Sequence, residues 1–219
     1  MKLEFVEARD LPDAWFQCVC RVLDVGEKYL IDRGSYAGQF RLEFDYVTVH
    51  IKYPGQRPLL PDIPPQLGIP NPVANDYLEQ YLPYLMTSAK SSTEDYTYGQ
   101  YLEAQIAEVI KMYKENGHNT NQAYMTVGDD RSIYLNDPPC LRGIDTRIRG
   151  GRLHFVVYFR SWDLWGGFPA NLGAIQLLKE YMAGEIGVED GEIIASSKGL
   201  HLYDFTWDLA KLRTCRKEN

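Results

Sequence analysis

Two strand-like runs around a glycine turn constrain this chain more than any other feature. Leu141 to Ile148 and Leu153 to Phe159 are typical of strands, and Arg149-Gly150-Gly151-Arg152 between them is a short turn. This pattern predicts a β-hairpin. Since a hairpin carries the chain back to where it began, we expect Cys140, before the first run, to lie close to Arg160, after the second.

The rest of the chain mixes helical and strand patterns. A cap and a proline at Asp10 to Pro12 predict a helix to about Val25, and apolar stripes predict two more, one ending near Gly117 and one starting at Pro169. Alternation predicts one long strand from Gln39 to Ile51, with a possible bulge, and another from Glu192 to Tyr203. We therefore predict an α/β (α+β) fold, a mixed sheet covered by helices on one face.

Composition limits the domain count and the partners. A chain of 219 residues that is 45% hydrophobic can bury one substantial core, so we expect a single domain over 1–219. A net charge of -7 argues against a dedicated nucleic-acid binder, so local arginines must meet any bound anion. The N-terminus lacks a signal pattern, and no run approaches the roughly 18 apolar residues of a membrane span. These features predict a cytoplasmic protein without a membrane partner.

Prolines set one segment apart. Seven of the twelve prolines lie between Pro54 and Pro72. Because proline interrupts both helices and central strands, this segment is predicted to be a structured loop or a lid.

The four cysteines at positions 18, 20, 140 and 215 are too few and too irregularly spaced for a disulfide framework or a zinc site. Cys18 and Cys20 fit helix packing. Cys140 follows Pro138-Pro139 at a junction between irregular chain and strand, where a side chain can face a cleft. His50, His118 and His154 lie in strand and turn patterns, and no metal site is expected.

Between Asn136 and Phe205 a thiol, a guanidinium, a hydroxyl, a carboxylate, an amide and an imidazole recur at intervals. Such a set can carry out nucleophilic chemistry on an anion. The motifs are Pro139-Cys140, Arg160-Ser161-x-Asp163, Gly167-x-Pro169-x-Asn171 and His201-x-Tyr203.

These four motifs resemble the signature of the thymidylate synthase family, which reads P-C-H, R-S-x-D-x-x-L-G-x-P-F-N and H-x-Y. The intervals of 20 residues from Cys140 to Arg160, 11 to Asn171 and 30 to His201 fit it without a gap. Leu141 replaces the histidine of the first motif, and the chain ends 16 residues after Tyr203. The sequence thus resembles the short, divergent form of the family found in methane-producing archaea.

Weaker resemblances lie upstream. Arg33, in Asp32-Arg33-Gly34-Ser35, resembles the family's phosphate loop, and Tyr98 stands in the place of an active-site tyrosine. Thr120-Asn121 occupies the place where the family has two arginines that reach across a dimer. The family's catalytic glutamate has no clear counterpart, and the acidic candidates are Asp62, Glu79, Glu94 and Asp95.

The resemblance implies a methyltransferase that converts dUMP to dTMP, working as a homodimer without a metal. Its one-carbon donor would be a reduced pterin, methylene-tetrahydrofolate or methylene-tetrahydromethanopterin, and the Cys140 thiolate would add to C6 of uracil, with Arg160 lowering the thiol pKa. The implied catalytic residues are Cys140, Tyr98, Asn171 and Asp163. Arg33, Arg160 and Ser161 would bind phosphate, Asn171 the base, His201 and Tyr203 the ribose, and Asp163 and Gly167 the pterin.

Two other functions stay open. A non-catalytic pyrimidine-nucleotide-binding or regulatory protein fits the missing glutamate. A pyrimidine nucleotide hydroxymethylase is disfavoured by Asn171, since an aspartate would suit cytosine better.

Overall fold

The structure is a computed structural model that describes residues 1–74, 76–90 and 95–216. Those residues form five α-helices and ten strands, which confirms the α/β prediction. The helices are α1 (Leu11–Val25), α2 (Tyr77–Met86), α3 (Gly99–Asn116), α4 (Gly167–Ile186) and α5 (Trp207–Arg213). The strands are β1 (Leu3–Ala8), β2 (Glu27–Leu30), β3 (Phe40–Glu43), β4 (Tyr46–Ile51), β5 (Tyr124–Thr126), β6 (Leu141–Arg149), β7 (Arg152–Phe159), β8 (Trp162–Asp163), β9 (Glu189–Ser197) and β10 (Leu200–Tyr203).

The strands of the described chain form two mixed sheets where a single one was expected. The larger has the order β1-β4-β9-β7-β6-β5, and the smaller has the order β2-β3-β10-β8. In the larger sheet β4 pairs antiparallel with β9, whereas β7 pairs parallel with β9. In the smaller sheet β10 pairs antiparallel with β3 and parallel with β8.

The prediction of two long strands was wrong, because each splits between the sheets. The run from Gln39 to Ile51 becomes β3 and β4, and the run from Glu192 to Tyr203 becomes β9 and β10. At the first break the backbone N–H of Phe44 donates to the carbonyl of Leu200, and the Phe44 side chain is buried. The burial pattern changes at both breaks: the buried residues Phe44 and Val47 are three positions apart at the first, and the consecutive residues 199–202 are all buried at the second.

The hairpin prediction is confirmed. In β6 and β7, Leu141 pairs with Phe159 and Arg149 pairs with Arg152. Gly150 and Gly151 make the turn with φ of 58° and 73°, a region in which glycine is the favoured residue. At the open end the backbone N–H of Arg160 donates to the carbonyl oxygen of Cys140 at 2.8 Å.

Helix α1 begins where the sequence predicts. The Asp10 carboxylate accepts the N–H of Asp13 at 3.0 Å, and Pro12 occupies the first turn. Cys18 is fully buried on the inward face, which confirms its packing role, and burial raises the pKa of its thiol. The indole of Trp15 donates to the carbonyl of Leu164 at 3.0 Å and so ties α1 to the chain just after β8.

Helix α4 is the central helix of the core. Its inward stripe of Leu172, Ile175, Leu178 and Met182 is buried, and it packs against β7, β8 and β9 and against the other long helices. It begins at Gly167, two residues before the predicted start. The opposite face of the larger sheet is uncovered, with the Phe5 side chain 64% exposed and Val156 40% exposed.

The proline-rich segment is a loop, as predicted. Between β4 and α2 the described chain holds only a three-residue 3-10 turn, Pro65–Leu67. The Asn71 side chain accepts the backbone N–H of Ile63 at 2.6 Å and closes the loop on itself. None of the helices in residues 1–74, 76–90 and 95–216 is both long and apolar enough to span a membrane.

Candidate active site

Five of the predicted site residues meet in one cavity of about 310 Å³. They come from four separate parts of the chain: the loop after β2, the loop before β6, the end of β7 and the end of β10. These five are Arg33, Cys140, Arg160, Ser161 and Tyr203. The cavity is also lined by Ile31, Ser35, Tyr36, Arg41, Tyr96, Asp137 and Pro138.

Arg160 holds the chain that precedes Cys140. Its Nε donates to the carbonyl oxygens of Pro138 and Pro139, each at 3.2 Å, and its Nη2 also donates to Pro138. These bonds fix the turn that leads into the cysteine. The guanidinium therefore has a structural task in addition to any contact with a substrate.

Opposing effects act on the pKa of the Cys140 thiol. Burial raises its pKa, the nearby Arg160 guanidinium lowers it, and the Asp137 carboxylate raises it. Arg160 lowers the thiol pKa as expected, but burial has the larger effect, so the pKa is raised overall. Arg160 is thus the group that favours the thiolate in a setting that otherwise keeps the thiol protonated.

Tyr98 stands directly behind the cysteine. Its hydroxyl oxygen accepts the backbone N–H of Leu141 at 3.3 Å, and burial raises the pKa of the phenol well above its usual range. Gly99 permits this placement, since a Cβ there would lie 1.9 Å from the carbonyl oxygen of Thr87. The tyrosine is held against the backbone next to the thiol.

The loop after β2 closes on the loop before Cys140. Ser35 Oγ donates to the Asp137 carboxylate, and Gly34, with φ of +96°, leaves room for that carboxylate. Arg33 is exposed and has no hydrogen bond or ion pair to any residue in the described ranges. Its guanidinium is available to a ligand in the cavity.

Arg41 is a site residue that the sequence reasoning missed. It lines the cavity from β3, and its Nε is 2.6 Å from Glu43 Oε2. Charged residues at positions 41 and 43, alternating with Phe40 and Leu42, were the signal that could have found it. This alternation puts Arg41 and Glu43 on one face of β3. Together with Arg33 and Arg160, Arg41 makes three arginines that line the cavity, where two were expected.

His201 and Tyr203 lie on the same side of β10, as expected. Their ring centroids are 4.6 Å apart, and Tyr203 stacks on Tyr36 at 4.4 Å. His201 is 1% exposed, and its Nδ1 is 2.8 Å from the carbonyl oxygen of Gly199. Burial lowers the pKa of His201 to about 4, so the imidazole is neutral near pH 7. Tyr203 lines the cavity itself, with His201 in edge contact with its ring.

Asn171 and Gly167 line a second cavity, also of about 310 Å³. The Asn171 carboxamide accepts the Trp162 indole N–H at 2.8 Å and donates to the Tyr81 hydroxyl at 2.7 Å. The other lining residues are mostly apolar or aromatic: Pro72, Val73, Ala74, Tyr77, Gly166 and Ala170.

Asp163 organises the start of α4. Its carboxylate accepts three backbone N–H groups, from Trp165 at 3.1 Å, Gly166 at 3.0 Å and Gly167 at 2.8 Å. A carboxylate at this position satisfies donors that the helix itself leaves unpaired. It therefore fixes the helical turn that carries Asn171.

Among the described residues, the acidic candidates Asp62, Glu79 and Asp95 do not line the Cys140 cavity. Asp62 and Glu79 line a different cavity of about 500 Å³, together with Arg57. Asp95 is exposed, and Glu94 lies outside the described residues. The carboxylate that does line the Cys140 cavity is Asp137. In the described part of the chain, no cluster of three or more His, Cys, Asp or Glu side chains could hold a metal ion.

The fold is α/β, and a thiol and three arginines line one cavity, where an anion could bind beside the cysteine. The family model described as thymidylate synthase matches residues 84–219. This chain belongs to the thymidylate synthase family, and it is a thymidylate synthase-like methyltransferase.

Individual relatives agree with this assignment. A protein of Methanosarcina acetivorans named "Putative thymidylate synthase" is 30% identical over 212 residues, covering 94% of this chain and 92% of the relative. One of the same name from Methanothermobacter thermautotrophicus is 26% identical over 218 residues, covering 94% and 96%. A thymidylate synthase of Listeria monocytogenes is 32% identical over 101 residues, covering 46% and 32%. The resemblance to the archaeal form of the family is confirmed.

Proposed function

We propose that this protein converts dUMP to dTMP by reductive methylation. The observation that carries the proposal is the meeting of Cys140 with Arg33, Arg160, Ser161 and Tyr203 in one cavity. Arginines and a hydroxyl suit a phosphate, a tyrosine suits a sugar hydroxyl, and a thiol suits addition to an electron-poor ring.

The nucleotide half of the reaction uses the chain's own residues. Arg33, Arg160 and Ser161 bind the phosphate, with Arg41 adding a third positive charge, and Tyr203 with His201 binds the ribose. The Cys140 thiolate forms a bond to C6, which makes C5 nucleophilic toward the one-carbon unit. C5 then loses its proton as the bond between the carbon unit and the donor nitrogen breaks, and a hydride from the donor completes the methyl group as the S–C6 bond breaks and the thiolate leaves.

Tyr98 and Asp163 support these steps by position. Tyr98 holds the backbone beside the thiol, and Asp163 holds the first turn of the helix that carries Asn171. Asn171 reads the base through its amide.

The one-carbon donor is a reduced pterin of the methylene-tetrahydrofolate or methylene-tetrahydromethanopterin type. It supplies both the carbon unit and the hydride. The cavity that contains Gly167 and Asn171 supports this assignment, since Tyr77, Tyr81 and Pro72 offer the flat, apolar surface that a pterin ring needs.

The protein acts as a cytoplasmic homodimer in this proposal. The uncovered face of the larger sheet carries Phe5 on β1, Ile194 on β9 and Val156 and Tyr158 on β7, with the polar Thr48 and His50 of β4 between them. Apolar side chains left on an uncovered sheet face favour pairing with an identical face through a two-fold axis.

Release of tritium from 5-tritiated dUMP tests the proposal, because it requires chemistry at C5. We expect release with one of the two methylene carriers and a product with the mass of dTMP. A product heavier by one oxygen atom identifies a hydroxymethylase.

The second candidate is a nucleotide-binding protein without catalysis, which is favoured by the raised pKa of Cys140 and by the absence of Glu79 from its cavity. Binding of dUMP without tritium release from either carrier supports that candidate.

A further inference from the structure

The Asn171 carboxamide is held between two side chains from other elements. Trp162 Nε1 lies 2.8 Å from Asn171 Oδ1, and Asn171 Nδ2 lies 2.7 Å from the Tyr81 hydroxyl. Trp162 belongs to β8, Tyr81 to α2 and Asn171 to α4. The amide therefore has a partner at each of its two polar atoms.

The chemistry of the indole decides which way the amide points. An indole N–H can only donate, whereas a carboxamide has a donor end and an acceptor end that are nearly alike in shape. The atom that faces Trp162 must therefore be oxygen, and the NH₂ group must face Tyr81. A flipped amide would place two donors against each other at 2.8 Å.

Trp162 is itself held firmly. Its side chain is 3% exposed, and it stacks on Phe159 with ring centroids 3.8 Å apart and planes 5° apart. Phe168 packs against its ring at 4.5 Å. The neighbouring Asp163 binds the first turn of α4, so the indole and Asn171 are fixed relative to each other.

An amide of fixed orientation can pair with the edge of uracil or with that of cytosine, but not with both. A carboxamide has two N–H donors and two lone pairs, and Trp162 and Tyr81 use one of each. One donor and one acceptor remain, in an order fixed by the indole. Uracil presents an acceptor at O4 and a donor at N3, whereas cytosine presents the reverse order and needs the amide flipped.

We infer that Trp162 and Tyr81 lock the Asn171 carboxamide in the orientation that suits uracil, and that this lock makes the site discriminate against cytosine. The inference rests on the proposed function, because it assumes that Asn171 reads the base. Trp162 and Tyr81 are positioning residues that act through Asn171.

Calorimetry on the full chain with dUMP, dCMP and deoxyribose 5-phosphate tests the lock. Trp162→Phe removes the indole N–H and keeps an aromatic ring, so we expect the preference for dUMP over dCMP to fall about tenfold, the effect of one well-formed hydrogen bond. Tyr81→Phe should lower it about threefold, because a hydroxyl can donate as well as accept and imposes less on the amide. Affinity for deoxyribose 5-phosphate, which has no base, should not change.

Two matched variants serve as controls. Trp207→Phe removes an indole N–H that donates to the carbonyl of Leu202 at 3.0 Å, and Tyr181→Phe removes a hydroxyl from an exposed position of α4. Both should keep the wild-type preference.

The outcomes separate the lock from the proposed function. If the wild type binds dUMP and both Trp162→Phe and Tyr81→Phe keep its preference, the lock is overturned and the proposed function stands. If the folded wild type does not bind dUMP, both are overturned. Thermal melts establish that each variant is folded, and if Trp162→Phe does not fold, the Tyr81→Phe result decides.

Discussion

Arg160 makes hydrogen bonds to Cys140 and to the two prolines that precede it. Its backbone N–H donates to the Cys140 carbonyl at 2.8 Å, and its side chain donates to the carbonyls of Pro138 and Pro139. A residue expected to bind phosphate thus also positions the proposed nucleophile. Substitutions of Arg160 should therefore have two effects, whereas substitutions of Arg33 should have one.

Arg33→Ala should weaken dUMP binding about tenfold or more and leave deoxyuridine binding nearly unchanged, because a charge-assisted contact contributes about 1.5–3 kcal/mol. Arg160→Ala should weaken binding of both ligands and lower stability by about 1–3 kcal/mol, since its bonds to two carbonyls are lost. Calorimetry and chemical unfolding measure the two effects. Equal losses for dUMP and deoxyuridine in Arg33→Ala would contradict its phosphate role.

Cys140→Ser should keep the fold and much of the dUMP affinity but abolish turnover, because a serine hydroxyl is scarcely ionised near neutral pH. With a competent carbon donor, 5-fluoro-dUMP should trap a covalent adduct on Cys140, since C5 then has no proton to lose. Intact mass and peptide mapping locate the adduct. The exposed Cys215→Ser is the control and should still form it, and an adduct on Cys20 or Cys215 would refute the assignment.

Tyr98→Phe should reduce turnover more than dUMP affinity. The change removes the hydroxyl that accepts the Leu141 N–H and leaves that buried donor without this partner, which should destabilise the fold by about 1–3 kcal/mol. Steady-state kinetics and unfolding curves measure both. Turnover at the wild-type level would remove Tyr98 from the catalytic set.

His201 should make the protein sensitive to acid. Its pKa is lowered to about 4 in the fold from an ordinary 6.5, so the unfolded chain binds more protons between these values and stability falls as pH drops through that window. We expect protonation of His201 to lower the free energy of unfolding by about 2 kcal/mol between pH 7 and pH 5. His201→Gln should lack it, whereas the exposed His118→Gln should retain it. Chemical unfolding at the two pH values measures the difference, and identical losses in wild type and His201→Gln would exclude this origin.

Val156→Glu should convert the proposed homodimer to a monomer. The substitution puts a charge on the uncovered face of the larger sheet, where Val156 is 40% exposed beside Ile194. Light scattering after size exclusion gives the mass of each form. Tyr181→Glu, at an exposed position of α4, should leave the assembly unchanged, and a wild type that is monomeric at all concentrations would disprove the dimer.

Local patterns in the sequence determined much of this structure. The hairpin from β6 to β7, the start of α1 and the proline-rich loop each follow from neighbouring residues, and the structure confirms all three. The four family-like motifs picked out Cys140, Arg160, Ser161 and Tyr203, and the upstream resemblance to the phosphate loop picked out Arg33; all five line one cavity. Hairpin geometry explains part of this result, because pairing of β6 with β7 forces Cys140 and Arg160 together.

Tertiary structure decided the rest, because those features depend on partners far apart in the chain. Alternation shows which residues face inward but not which sheet a strand joins. The sequence alone therefore predicts one continuous strand for each of the runs 39–51 and 192–203, although each divides between the two sheets. Arg41 reaches the cavity only because β3 pairs with β10. The Asn171 amide donates to the Tyr81 hydroxyl, 90 residues away, and burial outweighs Arg160 in setting the direction of the Cys140 pKa shift. The sequence by itself determined the chemical groups and their order, and only packing decided their orientation and charge.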